Sequence, residues 1–264
     1  MEKIRVMICG ISGSMGTHTA HAVHGRPDME LVGGIDVNNV GQDLETTISL
    51  NGSKLVIEKD LDKVITEKTP QVMIDFTKGH VAPHNIKKCL KNRIACVVGT
   101  TGISDEELKE IEELSHKEKT PVLLVPNFSV GAVLMMKFAA EAARHYDNAE
   151  IIEMHHDRKQ DAPSGTALRT AELMTTDDKK FKLPENEKEK LPGARGGLKD
   201  TVRVHSVRLP GLLAHQLVIF GGQGETLTLR HDSLSRECFM PGVISAVKNI
   251  HRLTGLAVGL ENVL

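Results

Sequence analysis

The sequence predicts an α/β protein, with an N-terminal doubly wound, Rossmann-type parallel sheet and a C-terminal α+β domain. Three observations carry this. A glycine turn stands between a short apolar run and a helical pattern at residues 4–24. Short apolar runs then alternate with helical patterns as far as Phe128, the mark of βα units and a parallel sheet. Beyond Phe128 comes a long helix, and later three strand patterns separated by Leu209-Pro210-Gly211 and Gly221-Gly222-Gln223-Gly224, which reads as an antiparallel or mixed sheet.

Ile4 to Cys9 is a buried strand. Gly10-Ile11-Ser12-Gly13-Ser14-Met15-Gly16 follows and opens a helix to about His24. The spacing is Gly-x-x-Gly-x-x-Gly rather than the commoner Gly-x-Gly-x-x-Gly, but its physical logic holds. Gly10 allows the tight turn, Gly13 lets a pyrophosphate near the backbone, and Gly16 lets the helix pack closely. A second strand, Leu31 to Ile35, ends in Asp36, about 20 residues past the last glycine, where an acid accepts hydrogen bonds from an adenosine ribose. Together these predict a dinucleotide site. The plainer alternative is a structural glycine turn with Asp36 capping a strand.

The alternation continues with strands at Leu55 to Ile57, Val72 to Phe76, Ile94 to Val98 and Val122 to Val125, and with helices at Val81 to Leu90 and from the capping box Ser104-Asp105-Glu106-Glu107 to about Lys117. Ligands of such sheets bind beyond the carboxyl ends of the strands, so the tips at Gly10, Asp36, Thr77, Thr100 and Asn127 are candidate cofactor contacts. Gly131 to His145 is a helix in which Met135 and Met136 read as core packing. A strand from Glu150 and a helix from Thr166 to Met174 come next. Thr175 to Gly197, rich in charge, Pro and Gly, reads as a long exposed loop or lid. Val202 to Arg208, His215 to Phe220 and Glu225 to His231 are strands, and Pro241 to Arg252 is a final helix. The expected division is residues 1–128, with 240–264 packing back on them, and residues 129–239.

The segment Glu150 to Ala167 concentrates the chemistry. It places His155, His156, Arg158 and Lys159 between a strand and the helix start Pro163-Ser164-Gly165-Thr166. A helix start without bulky side chains holds an anion by its free amides and its dipole. The histidines and Lys159 add positive charge or a proton. The segment therefore predicts a site for a small, multiply anionic molecule. Its bland alternative is a solvated strand end followed by ordinary turn chemistry.

Composition narrows the classes. A net charge of −2 makes no electrostatic case for nucleic acid or an anionic membrane, and no apolar run approaches the roughly 20 residues of a membrane span. Met1-Glu2-Lys3-Ile4-Arg5 leads straight into a strand and is not expected to be a signal peptide. Cys9, Cys89, Cys96 and Cys238 show no metal-ligand spacing, so free thiols in a reducing cytoplasm are expected and a metal is not.

Over essentially its whole length the chain resembles the dihydrodipicolinate reductases (4-hydroxy-tetrahydrodipicolinate reductases) of lysine and diaminopimelate biosynthesis. The most specific shared motif is Glu150-x-x-Glu-x-His-His-x-x-Lys-x-Asp-x-Pro-Ser-Gly-Thr-Ala167. The glycine turn, Gly99-Thr100-Thr101-Gly102, Pro126-Asn127-Phe128-Ser129, Ser206-Val207-Arg208 and His215 stand in family order. The resemblance implies that NAD(P)H contacts Gly10, Ile11, Ser12, Gly13, Ser14, Met15, Asp36, Gly99, Thr100, Thr101, Val125, Pro126, Asn127 and Phe128, with Asp75, Phe76 and Thr77 near the nicotinamide. It implies His155 and Lys159 as the catalytic pair, and His156, Ser164, Gly165 and Thr166 as holders of a small dicarboxylate substrate. The second domain would then bind substrate and form a homotetramer.

Two departures stand out. Ser14 and Val37 occupy positions where many members carry arginines able to pair with the 2′-phosphate of NADPH, which Asp36 would repel. NADH preference over NADPH is the resulting expectation. Leu209-Pro210-Gly211-Leu212-Leu213-Ala214 is less polar than its counterparts elsewhere, so contacts of that loop do not carry over. The competing readings are an aspartate dehydrogenase or similar two-domain enzyme, which would lack the full His-His-to-Gly-Thr segment, and a nicotinamide sensor in which Lys159 is idle. A metal hydrolase is opposed by the adjacent histidines, which point to opposite faces of a strand.

Overall fold

In the computed structural model, which describes residues 2–176 and 178–264, the first apolar run forms β1 (Ile4–Cys9), with Val6, Met7, Ile8 and Cys9 fully buried. A strand covered on both faces has no reason to alternate polar with apolar residues, hence the unbroken run. Then follow α1 (Ser14–His24), β2 (Met29–Ile35), α2 (Leu44–Ile48), β3 (Ile57–Glu58), α3 (Leu61–Lys68), β4 (Val72–Asp75), α4 (Ala82–Lys91), β5 (Ala95–Val98), α5 (Asp105–Glu118) and β6 (Val122–Leu124). Helix starts obey local chemistry. Asp43, Asp60 and Ser104 accept hydrogen bonds from first-turn amides of α2, α3 and α5.

After these come α6 (Val130–Ala143), β7 (Asn148–His155), α7 (Gly165–Met174), β8 (Gly197–Lys199), β9 (Val202–Arg208), β10 (Ala214–Gly222), β11 (Glu225–Ser233), α8 (Met240–Asn249), a 3-10 turn at Ile250–Arg252, and β12 (Leu256–Val258). Two compact units result. One is the chain up to Val130 together with Phe239–Leu264, and the other is Gly131–Cys238.

The first unit holds a seven-stranded sheet in the order β12-β6-β5-β4-β1-β2-β3, parallel throughout. The order reverses between β1 and β4, the switch point where such sheets open a crevice. Met7, Met73, Ile86, Cys96, Val98 and Ile111 centre its aliphatic core. The chain returns to this unit at its end. Thr19 of α1 meets Met240 of α8, and β12 adds an outer strand beside β6. The pattern of the sequence marks neither β12 nor β8, because three residues are too few to show a period. The expected strand at Leu55 to Ile57 is shifted, with Val56 bridging Asp43 and only Ile57–Glu58 paired to β2.

The second unit holds a mixed sheet in the order β11-β10-β7-β9-β8, in which β7 and β9 run parallel and the other pairs antiparallel. Ile151, Val204, Val218 and Phe220 pack on Met135, Ala139, Ala167, Ala171 and Met174. The other register positions, among them Ile152, Met154, Val207, Leu217 and Ile219, are half-buried. Residues 175–197 are largely irregular and exposed, apart from the buried Phe181; Asp177 lies outside the described residues. This stretch is tied to the sheet by ion pairs of Arg195 with Glu150 and of Glu187 with Arg203, and Arg195 and Glu187 also pair with each other.

Candidate active site

In the first unit the glycine turn is shaped by backbone contacts. Gly10 has φ +79, where a side chain would be strained, and a Cβ there would lie 2.8 Å from the carbonyl oxygen of Phe76. A Cβ on Gly16 would lie 2.1 Å from the carbonyl oxygen of Gly10, so only glycine lets α1 start this close to β1. Gly13 precedes α1 and offers no side chain to its first amides. A cavity of about 480 Å³ opens there, lined by Gly13, Ser14, Met15, Phe76, Thr77, Gly99, Thr100 and Thr101, with Lys78 and Gly79. Thr100, Thr101, Val125 and Pro126 line a smaller one of about 210 Å³.

The remaining residues expected at the cofactor stand outside those linings. The side chain of Ile11 is wholly buried beneath Gly34, leaving only its backbone for a ligand. The amide of Ser12 donates to Asp36, and the backbone and side-chain nitrogens of Asn38 donate to the same carboxylate. Asn127 accepts from the amide of Ser129, and Phe128 meets Phe76 edge to face with centroids 5.7 Å apart.

Asp75, expected beside Phe76 and Thr77, is an organiser in a way the sequence pattern does not reveal. Its fully buried carboxylate accepts from the amide and hydroxyl of Thr77, from Asn85 Nδ2 and from the hydroxyl of Thr100. It thereby fixes two cavity residues from adjacent strand ends. The sequence places an acid at the end of a buried strand, but not its partners. Nearby Cys9 is fully buried, and burial pushes its thiol well up, with the charge of Asp75 adding to the effect.

In the second unit the segment Glu150 to Ala167 turns around a single buried side chain, Glu153. Its carboxylate is wholly shielded from solvent. Oε2 accepts from His155 Nδ1 at 2.6 Å and from Arg208 Nη1 at 2.9 Å. Oε1 accepts from Arg208 Nη2 at 2.8 Å and from the amide of Ser164 at 3.2 Å. Burial alone would raise its pKa. The hydrogen bonds from His155, Arg208 and Ser206, with the charge of Arg208, outweigh burial and bring it down to about 2.

The other residues gather around this carboxylate. Ser164 caps α7, its hydroxyl accepting from the amide of Ala167, so Gly165 and Thr166 are the first residues of the helix. A Cβ on Gly165 would meet nothing within 4 Å. Lys159 Nζ donates to both oxygens of Asp161, and Arg208 reaches the carbonyl of Asp161, so the two cations flank one turn. The paired Lys159 lowers the pKa of Asp161. His156 follows β7, and its Nδ1 is buried with no hydrogen-bond partner among the described residues. His215 is held from both sides, with Nδ1 against Asp232 at 2.7 Å and Nε2 accepting from the amide of Leu213. Motif order already placed Arg208 in view. Its partnership with Glu153 needs the parallel pairing of β7 with β9, in which His155 stands opposite Arg208.

Comparison with known proteins covers the whole chain. The family described as Dihydrodipicolinate reductase, N-terminus, matches residues 4–128, and that described as Dihydrodipicolinate reductase, C-terminus, matches residues 131–264. A 4-hydroxy-tetrahydrodipicolinate reductase of Syntrophomonas wolfei is 45% identical over 265 residues, covering 100% of this chain and 99% of its own. One of Moorella thermoacetica is 46% identical, covering 99% and 98%. The solved dipicolinate-bound dihydrodipicolinate reductase of Paenisporosarcina sp. TG-14 superposes with a TM-score of 0.89 at 43% identity, over 99% of this chain and 100% of that one. An amine dehydrogenase of Mycobacterium smegmatis, at 12% identity and a TM-score of 0.69 over 96% and 94% of the two chains, shares the fold alone.

Proposed function

The chain belongs to the dihydrodipicolinate reductase family, an NAD(P)H-dependent oxidoreductase of lysine and diaminopimelate biosynthesis, and from that premise we propose how its residues divide the work. The glycine turn fits a dinucleotide: Gly16 leaves no room for a side chain, and a cavity opens at the start of α1. When bound there, the dihydronicotinamide supplies a hydride to the substrate. Gly10 to Met15, Gly99 to Thr101 and Val125 to Phe128 hold the cofactor. Asp36 takes the adenosine ribose, and Phe76 and Thr77 border the nicotinamide. Asp36, with Ser14 and Val37 standing where many family members carry arginine, makes NADH the preferred form.

The substrate is a small dicarboxylate, the dehydrated form of 4-hydroxy-tetrahydrodipicolinate, reduced to tetrahydrodipicolinate. The single observation that carries this is the double role of Glu153. One carboxylate holds both the imidazole of His155 and the amide of Ser164 at the start of α7. A proton-transfer group and an anion-binding helix start thus belong to one hydrogen-bonded unit. Ser164, Gly165 and Thr166 receive a carboxylate at the start of α7, and the unpartnered Nδ1 of His156 supplies a further polar contact. His155 and Lys159 together deliver the proton that balances the hydride, to an atom next to the reduced carbon. A homotetramer formed through the half-buried face of the mixed sheet, in the cytoplasm, completes the proposal.

A coupled assay tests it. A dihydrodipicolinate synthase makes the unstable substrate in place from pyruvate and aspartate semialdehyde, and the loss of NADH or NADPH absorbance is followed. Oxidation that requires the synthase and collapses in Lys159→Ala supports the assignment. Turnover unchanged in Lys159→Ala would remove Lys159 from the chemistry.

A further inference from the structure

We propose that Glu153 is a positioning residue that locks His155 in one tautomer, with Nδ1–H donated inward and Nε2 left as the one ring atom that exchanges a proton with substrate. The inference rests on the proposed catalytic role of His155, and adds how that histidine is prepared.

Besides the hydrogen bond from Ser206, four contacts hold the carboxylate. Arg208 takes both oxygens side by side, the amide of Ser164 takes Oε1, and His155 Nδ1 takes Oε2. Arg208 keeps its charge at any working pH, and a carboxylate facing it remains ionised. An ionised carboxylate only accepts, so the 2.6 Å contact with His155 requires a proton on Nδ1. Nε2 is then a proton acceptor when the ring is neutral and a donor when it is charged. An imidazole that used Nδ1 for substrate would have to break this bond within a site wholly closed to water at Glu153. The arrangement parallels the carboxylate that orients a metal-bound or catalytic histidine elsewhere.

Glu153 acts on more than the ring. Its bond to the amide of Ser164 sets where α7 begins, and Arg208 carries the arrangement on to the carbonyl of Asp161, the partner of Lys159. One side chain therefore aligns the histidine, the helix start and the turn that bears the lysine. Loss of its charge should strike both kcat and the KM for the dicarboxylate. NADH binding should be untouched, since the nucleotide residues belong to the other unit.

Nitrogen-15 NMR on the full-length protein, with histidine labelled, reads the tautomer directly. The signal of His155 among the 13 histidines is identified by its absence in His155→Asn. The expected result in the parent protein, with the ring neutral, is a protonated Nδ1 and a bare Nε2. Glu153→Gln keeps the size and loses the charge. In that variant the tautomer should become mixed, kcat should fall on the order of 10- to 100-fold, and the Kd for NADH should stay within about two-fold. A bare Nδ1 in the parent overturns the proposal, and this reading needs no variant to fold. So does a folded Glu153→Gln whose kcat is within about two-fold of the parent while His155→Asn is inactive. Full activity in His155→Asn overturns instead the role of the histidine on which the inference rests.

Discussion

The backbone amide of Ser12 donates a 3.0 Å hydrogen bond to Oδ2 of Asp36, tying the glycine turn to the end of the neighbouring strand. Asn38 holds the other oxygen. The acid is thus fixed at the edge of the turn, and in the proposed binding mode a second phosphate on the adenosine ribose would be brought against it. Val37, next in the chain and 78% exposed, offers no compensating cation.

Val37→Arg should therefore raise kcat/KM for NADPH by about ten-fold, the effect of roughly 1.4 kcal/mol from one charge-assisted contact. Asp36→Ala combined with it should reverse the preference. Initial rates with each cofactor, at saturating substrate, measure both. Equal efficiency of the parent with NADH and NADPH would defeat the proposed NADH preference.

Gly16→Ala should nearly abolish cofactor binding. The added carbon would come 2.1 Å from the carbonyl oxygen of Gly10, and backbone has to move to admit it. A cost of about 1–3 kcal/mol in stability is expected from such overpacking. Thermal unfolding, with and without NADH, gives both numbers. An unchanged Kd for NADH would mean that the turn does not approach the pyrophosphate.

Gly165→Ala provides the contrast. Open space surrounds the position, and alanine is the better helix former, so stability should hold or rise by up to about 1 kcal/mol. The methyl group would intrude where the substrate carboxylate is proposed to lie. The KM for substrate should rise several-fold while that for NADH stays constant. Unaltered substrate KM would place the anion elsewhere.

Acid should loosen the second unit in a defined window. The pKa of Glu153 is lowered in the folded chain, to about 2. Its contribution is fully present above the unfolded value of about 4.3 and is lost as pH falls from there through about 2. The loss is on the order of 3 kcal/mol for this buried group. Urea unfolding between pH 5 and pH 2 should show this slope in the parent, and a flatter one in Glu153→Gln.

What could be read beforehand followed from what a linear pattern can carry. Ile4 to Cys9, Gly10 to Gly16 and the His155-to-Ala167 segment declare themselves through short-range composition, and they form β1, the α1 turn and the β7–α7 connection. The buried acids are different. Asp75 and Glu153 are recognised by what surrounds them: a threonine 25 residues away, just past the end of the next strand, in one case, an arginine 55 residues away in the other. No local period encodes such partners. β12 escaped for the same reason, since Leu256–Val258 becomes a strand through the free edge of β6. The loop from Leu209 to Ala214 is less polar than expected for the family, yet its amides at Leu209 and Leu213 still bond His155 and His215 through the backbone, which is indifferent to side-chain polarity.

The placement of β12 sets an order of assembly during synthesis. The first six strands of the parallel sheet leave the ribosome early, but β6 keeps a bare edge while the whole of Gly131–Cys238 is being made. At a rate of about 5–20 residues per second, that edge stays open for several seconds. A nascent chain stalled before Leu256 would expose a hydrogen-bonding strand edge to its neighbours, a template for misassembly that quality-control factors can detect. The unit of the parallel sheet is thereby sealed by residues translated after the unit of the mixed sheet, so a finished parallel sheet certifies that the intervening segment, with His155 and Lys159, has already been made.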